Sequence, residues 1–163
     1  MFQQNIFAIL ALGFFHCAAS EAEEPKFPFV DGIWRGGIET DSNTKASKFC
    51  WASTTFKEAT TFTLEVRRDK SWHLRLSNAG WRLPTSHRYD TIAQVDYYPR
   101  LRINGESQSQ TILEFGDIEH ISLLHLIENG HTIELSSNEI NLKYDLEGSA
   151  KIIARLRDCL KER

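Results

Sequence analysis

Alternating apolar residues restrict the fold of this chain more than any other feature of its sequence. Every second residue is apolar in 62–66 and again in 72–76, and a polar segment at 68–70 separates the two stretches. A period of two places these side chains on one face of a strand, and a short polar segment between two strands favours a turn. The pattern predicts a β-hairpin whose buried face is formed by Phe62, Leu64, Val66, Trp72, Leu74 and Leu76.

Similar short segments occur on both sides of this hairpin. Further strands are predicted near residues 33–38, 49–56, 89–98, 101–103, 110–115, 133–135 and 140–146. Tyr97 is expected to share one strand face with Ala93 and Val95. The dipeptide Asn104-Gly105 is typical of a type I′ turn, so we expect the chain to reverse there.

Two segments have helical spacing instead. Ile118, Ile121 and Leu124 recur every three residues after Asp117, which is a suitable N-cap. Ser149 is expected to cap a last helix with inward-facing Ile152, Ile153, Leu156 and Leu160. The fold class predicted from these patterns is α+β. It is mainly an antiparallel β-sandwich or partly closed barrel of about eight strands, with a short mid-chain helix and a C-terminal helix packed on it.

An apolar run at 6–15 (IFAILALGFF) precedes the predicted domain. As a helix it would be about 15 Å long, half of a bilayer core, which is too short for a membrane span but suits a signal peptide. We predict a signal peptide at 1–20, a linker at 21–30 and a single β-rich domain at 31–163. The alternative is a buried N-terminal strand or helix. Leader removal would leave a periplasmic or secreted protein that does not span the membrane.

Two of the three cysteines, Cys50 and Cys159, lie outside the predicted leader. Exported proteins meet an oxidising compartment, where an even number of cysteines favours disulfides. We therefore predict one bridge between Cys50 and Cys159, and two separate buried thiols are the alternative.

Basic residues are concentrated in the middle of the chain. Residues 57–102 contain nine Lys or Arg against five Asp or Glu, whereas 103–163 contain six against eleven. Arginines beside aromatic residues suit a protein partner or an anionic glycan, through stacking and forked hydrogen bonds. The candidate binding residues are Arg67, Trp72, Arg75, Trp81 and Arg82. The alternative is that these aromatic residues form core and the arginines are merely solvated.

Motifs for most catalytic and cofactor chemistry are missing. The sequence contains no HExxH, CxxC, GxSxG or phosphate-binding Gly-rich loop, so we predict no metal and no cofactor. The net charge of −3 argues against nucleic-acid binding. A small hydrolase would need His73 or His87 to meet Asp90 or Asp96.

Several motifs together resemble a known group of proteins. They are IWRGG at 33–37, KFC at 48–50, SW at 71–72, NAGW at 78–81, NGHTIEL at 129–135 and YDLEGS at 144–149, followed by Leu156 and Cys159. This arrangement resembles a group of uncharacterised exported proteins of proteobacteria, especially of the α class. More distantly it is similar to the invasion-associated locus B family of periplasmic proteins. The resemblance implies a small β-rich domain with a C-terminal helix and a link to the envelope and host cells, and it supplies no catalytic residue.

These observations predict a non-enzymatic binding or interaction protein of the cell envelope. The alternatives are a small secreted hydrolase acting on glycan or peptide bonds, and an inhibitor of such an enzyme. An inhibitor would present a rigid exposed loop, and the segment 77–84 is the candidate.

Overall fold

The computed structural model describes residues 28–40, 42–43, 47–56 and 59–161. The predicted leader at 1–20 and most of the predicted linker lie outside these residues, as does the side chain of Leu160. The first strand begins at Phe29, two residues before the expected start of the domain.

Ten strands and two helices make up the described part of the chain. All ten strands belong to one antiparallel sheet with the order β1-β2-β3-β4-β5-β8-β7-β6-β9-β10, which is not closed. The predicted α+β class and the C-terminal helix are confirmed, although the strands are ten rather than about eight. The bounds are β1 (Phe29–Asp31), β2 (Trp34–Thr40), β3 (Ser47–Thr55), β4 (Thr61–Arg67), β5 (Trp72–Ser77), β6 (Arg88–Val95), β7 (Leu101–Ser109), β8 (Ile112–Phe115), α1 (Leu123–Asn129), β9 (Thr132–Ser136), β10 (Asn141–Asp145) and α2 (Ser149–Lys161).

The sheet curls around its core, so that late strands return to early ones. The ring of Tyr144 in β10 lies 5.2 Å from that of Phe62 in β4 and 4.7 Å from that of Phe56. The indole Nε1 of Trp34 donates to the carbonyl of Glu147 at 2.7 Å. The helix α2 packs on β3, β4 and α1, and the core fills the space between the sheet and the helices.

The predicted hairpin is confirmed as β4 and β5. Its strands pair with Leu64 opposite Leu74 and Val66 opposite Trp72. All six alternating apolar side chains are buried, Trp72 included. Lys70 has a φ of 67°, and the amide of Lys70 donates to the carbonyl of Arg67, which closes the turn.

The predicted turn at Asn104-Gly105 is wrong, because β7 runs straight through it and the chain reverses after Ser109. Gly105 faces the core opposite Phe115, where a Cβ would lie 2.6 Å from a ring carbon of Phe115. The glycine therefore permits close packing in mid-strand instead of a turn.

The strand at 89–98 is shorter than predicted and ends at Val95. Asp96 has a φ of 44°, and its carboxylate accepts hydrogen bonds from the amides of His131 and Thr132. The backbone therefore leaves the strand before Tyr97, whose side chain is fully exposed rather than aligned with Val95.

Both predicted helix caps differ in the structure. The first helix begins at Leu123 rather than beside Asp117, and residues 118–122 form turns. Ser149 begins α2 as expected, but its hydroxyl donates to the carbonyl of Ile127 at 2.7 Å and so joins α2 to α1. The apolar face of α2 is confirmed, since Ile152, Ile153, Leu156 and Cys159 are buried.

The predicted disulfide between Cys50 and Cys159 is present, with 6.5 Å between the Cα atoms. It joins β3 to α2 across 109 residues of sequence. Closing a loop of this length in the unfolded chain is worth about 4–5 kcal/mol by the chain-entropy model. The bridge therefore holds the C-terminal helix on the sheet.

Candidate functional site

Five charged or titratable side chains meet on the face of the sheet opposite the helices, which we call the outer face. Strand alternation turns every second residue of β4, β5 and β8 away from the core. Pairing of β5 with both β4 and β8 then brings the three rows together. The charged cluster consists of Glu65, Arg67, His73, Arg75 and Glu114.

Glu114 lies at the centre of the charged cluster. Its carboxylate contacts His73 Nδ1 at 3.0 Å, Arg67 Nη2 at 2.7 Å and Arg75 Nη2 at 3.4 Å. The hydrogen bond from His73, together with the nearby charges of Arg67 and Arg75, outweighs desolvation and lowers the pKa of Glu114 to about 2. Glu114 therefore stays ionised over the physiological pH range.

Glu65 is the most deeply buried member, with 1% of its surface exposed. Arg75 Nη1 lies 2.8 Å from one of its oxygens. Burial nevertheless raises the pKa of Glu65, and the positive charge of Arg75 offsets this only in part. The two carboxylates of the cluster are thus shifted in opposite directions because Glu65 lacks the hydrogen bond that His73 gives to Glu114.

Two half-buried aromatic residues of β3 border the charged cluster. Phe49 is paired with Arg67 and Trp51 with Glu65 across the β3–β4 ladder. The guanidinium carbon of Arg75 lies 6.0 Å from the centre of the Phe49 ring, which is within the range of a cation–π contact. Arg67 and Arg75 keep 36% and 29% of their side-chain surface exposed, so both can still reach a partner.

The second nitrogen of His73 lies 3.0 Å from the hydroxyl of Ser71. Ser, His and Glu side chains at such distances resemble a nucleophilic triad, in which the hydroxyl donates to the imidazole. Here the Ser71 hydroxyl lies 2.6 Å from the carboxylate of Asp69, a contact that needs the hydroxyl proton. This hydrogen bond and one from the Ser71 amide lower the pKa of Asp69.

The Ser71 hydroxyl therefore directs its proton to Asp69 rather than to His73 Nε2, while Nδ1 of the same imidazole lies beside the Glu114 carboxylate. A serine nucleophile would instead direct this proton to its base, so the hydrogen bonds here differ from those of a catalytic triad.

An open pocket of about 560 Å³ adjoins the charged cluster on the outer face. Glu114 belongs to both, and Gly116 leaves space beside His73, where a Cβ would lie 3.5 Å from the ring. Three carboxylates and one guanidinium line this outer pocket, which gives it an acidic character. Its lining residues are Arg88, Asp90, Asn104, Gly105, Glu106, Gln108, Glu114 and Gly116.

The structure separates the five candidate binding residues into three groups. Arg67 and Arg75 come together in the charged cluster. Trp72 lies on the opposite side of the sheet, in the core, with 3% of its surface exposed. Trp81 is half-buried against the core, and exposed Arg82 donates to the carbonyls of Trp81 and Ala79 in its own loop.

The sequence analysis did not identify the two carboxylates of the cluster. Glu65 stands at an alternating position of a clear hairpin, so its face was predictable. Glu114 lies 41 residues after His73, and only the insertion of β8 beside β5 brings the two together.

The histidine–carboxylate pairs needed for the hydrolase alternative form differently from the expectation. His73 is hydrogen-bonded to Ser71 and Glu114, and Asp96 is hydrogen-bonded to His131. The ring of His87 packs edge-to-face against that of Tyr89, with 4.8 Å between the ring centres. Within the described ranges, no group of three or more His, Cys, Asp or Glu side chains is arranged to hold a metal ion.

The loop at 77–84, the candidate inhibitor loop, is fastened to the β7–β8 turn. The amide of Asn78 donates to the carbonyl of Thr111, and the amide of Leu83 donates to that of Gln110. In the part of the chain that the structure covers, no helix is long and apolar enough to cross a bilayer.

Comparison with known proteins identifies a similar fold. The crystal structure of invasion associated protein B from Bartonella henselae matches with a TM-score of 0.59 at 15% sequence identity, over 82% of this chain and 97% of that one. At this identity the similarity concerns the fold alone. No family model and no curated protein matches the chain.

Proposed function

We propose that the chain is an exported, periplasmic protein of the cell envelope, which binds another envelope protein and does not act as an enzyme. The observation that carries the proposal is Glu114, which joins a preorganised charged cluster to an open acidic pocket on the outer face.

Export is supported by the disulfide between Cys50 and Cys159, because such bridges persist in oxidising compartments. The apolar run at 6–15, followed by small residues, is consistent with this localisation.

Protein binding is supported by the residue types on the outer face. Arginine and aromatic residues are enriched in the centres of protein interfaces, and half-exposed Arg67 and Arg75 lie beside Phe49 and Trp51. Contacts with Glu65 and Glu114 already fix both arginines, so less side-chain entropy is lost on binding. We propose Arg67 and Arg75 as direct contacts.

The other candidate residues have supporting or peripheral places in this proposal. Trp72 supports the cluster from the core side of the sheet, and Trp81 holds its loop against the core. Arg82, exposed on that loop, is proposed as a peripheral contact.

The outer pocket indicates the chemistry of the partner. Glu114 is already paired with Arg67 and Arg75, but Asp90 and Glu106 still outnumber Arg88 in the lining, so a basic side chain of the partner suits the pocket better than an anion. This charge favours a protein partner over an anionic glycan. The Ser71 hydroxyl directs its proton to Asp69 rather than to His73, which favours binding over the hydrolase alternative.

The experiment uses the full chain, expressed with its leader in its native cells, with a photo-crosslinking residue at Gln108 in the outer pocket. We expect one envelope protein to be crosslinked, and Glu106→Lys to lower its yield at least about tenfold by charge repulsion. Glu119→Lys makes the same charge change at an exposed turn before α1 and should leave the yield unchanged.

Three results would overturn the proposal. The first is that no protein is crosslinked at Gln108, and the second is an equal yield from Glu106→Lys and the control. The third is that an anionic glycan added before irradiation lowers the crosslinking yield, whereas a basic peptide added in the same way does not.

A further inference from the structure

A second pocket on the outer face, which we call the turn pocket, lies beside the β6–β7 turn and has a volume of about 680 Å³. Its lining residues are Gln94, Asp96, Tyr97, His131, Thr132, Glu134 and Lys143. We propose that the turn pocket binds a neutral oligosaccharide, with one sugar ring stacked on Tyr97. This inference goes beyond the proposed protein partner and does not depend on it.

Tyr97 provides an aromatic surface for stacking. Its side chain is fully exposed, yet its backbone is held on both sides. The Asp96 carboxylate accepts from the amides of His131 and Thr132 at 2.9 and 2.8 Å, and the amide of Tyr98 donates to the carbonyl of Val95. An aromatic side chain on a fixed turn offers contact area at a small entropic cost, because only its two χ angles must be ordered.

The polar groups of the pocket suit hydroxyl groups, which both donate and accept hydrogen bonds. Glu134 offers a carboxylate acceptor, Lys143 offers ammonium donors, and Gln94 offers an amide. Gln94 lies directly opposite Glu134 on β9, and Glu134 lies opposite Lys143 on β10. Apart from Tyr97 the lining is polar, which suits a ligand rich in hydroxyl groups better than an apolar one.

Charge selects against an anionic ligand. Glu134 and Lys143 form an ion pair at 2.6 Å and largely cancel each other. Asp96 adds a negative charge, and hydrogen bonds from His131 and Thr132 lower the pKa of this carboxyl, so the charge persists at neutral pH. A neutral sugar meets no net repulsion there, whereas a uronate or sulfate would.

The turn pocket and the outer pocket are separate sites on one strand. Asp90 lines the outer pocket and Gln94 lines the turn pocket. Four residues of strand separate them by about 13 Å. A substitution in one pocket therefore leaves the other unchanged, and the two proposals can fail separately.

The experiment is an amide NMR titration of the oxidised full chain with cellotriose and with tri-N-acetylchitotriose, each up to about 10 mM, which covers dissociation constants in the millimolar range. We expect one of the two neutral probes to shift the amides of residues 96–98 and 131–134. Trigalacturonate, which is anionic, should bind at least about tenfold more weakly because Asp96 repels it.

Three variants test the role of the ring. Tyr97→Ala should weaken binding at least about tenfold, and Tyr97→Phe should keep it because the stacking surface is retained. Tyr98→Ala is the matched control, since Tyr98 is an exposed neighbour that does not line the pocket, and it should bind like wild type. Glu106→Lys should also bind the sugar normally.

The inference would be overturned by no shift with either neutral probe. Equal binding by Tyr97→Ala and wild type would overturn it as well, and so would a preference for trigalacturonate. If Tyr97→Ala loses the sugar while crosslinking at Gln108 persists, the sugar site is supported without reference to the protein partner.

Discussion

The Nδ1 nitrogen of His73 lies 3.0 Å from Oε1 of Glu114, although 41 residues separate them in sequence. The contact exists because β8 lies between β5 and β7 in the sheet, so the second strand of one hairpin pairs with the second strand of the other. The same carboxylate also accepts a hydrogen bond from Arg67 and lines the outer pocket. We therefore expect both stability and the proposed binding to depend on Glu114.

Acid should destabilise the protein through Glu114. Its pKa in the folded state, about 2, is below its ordinary value of 4.5, so its contribution to stability is complete above pH 4.5 and is lost as the pH falls toward 2. The contribution is about 3 kcal/mol. Urea unfolding at pH 7, 5 and 3 should show a steeper loss for wild type than for Glu114→Gln.

Glu65 has the opposite effect on stability as the pH falls, because its raised pKa favours proton uptake in the folded state. Glu65→Gln should therefore show at least the acid sensitivity of wild type. Parallel pH profiles for Glu114→Gln and wild type would contradict the role assigned to Glu114.

Removal of the disulfide should cost a large part of the stability. The double variant Cys50→Ala, Cys159→Ala should lose about 4–5 kcal/mol of unfolding free energy, because its unfolded chain is no longer closed into a long loop. Urea unfolding compares it with wild type, and wild type with added reductant should behave like the variant. Intact mass before and after reduction also reports the bridge and the removal of residues 1–20. An unchanged midpoint in reductant would contradict this prediction.

Gly105 should not tolerate a methyl group. A Cβ there would lie 2.6 Å from Phe115 and 2.9 Å from Leu113 in the core. Gly105→Ala should lower the unfolding free energy by about 1–3 kcal/mol through overpacking. Gly116→Ala is the matched control, because its Cβ would meet His73 at an ordinary 3.5 Å, and it should change stability by less than about 0.5 kcal/mol. Equal thermal midpoints for the two variants would refute the packing argument.

Ser71 should be unreactive as a nucleophile. Its hydroxyl proton is directed to the Asp69 carboxylate rather than to the His73 imidazole. A fluorophosphonate probe should therefore leave the oxidised protein unlabelled at pH 7, as judged by intact mass. Labelling that disappears in Ser71→Ala would instead favour the hydrolase alternative.

The hairpin, the apolar face of α2 and the disulfide were predictable from the sequence because each depends on local periodicity or on counting. Alternation at 62–66 and 72–76 specifies a face whatever the neighbours are. Two cysteines outside the predicted leader allow only one intramolecular bridge.

The turn at Asn104-Gly105 and the position of Tyr97 were mispredicted for a different reason. Gly105 is needed where Phe115 approaches from the next strand, and Asp96 ends β6 by binding amides of residues 131 and 132. The first contact depends on the register between two strands and the second joins residues 35 positions apart, so local propensity gives no sign of them.

By itself, therefore, the sequence determined which residues alternate, which faces are apolar and which cysteines can pair, since these properties follow from the geometry of a single strand or helix. Only the tertiary structure decided that His73 meets Glu114, that Arg67 and Arg75 reach the same carboxylate, and that Tyr97 stands beside a pocket. The physical reason is that strand order and register bring distant residues together, and they are set by packing of the whole core.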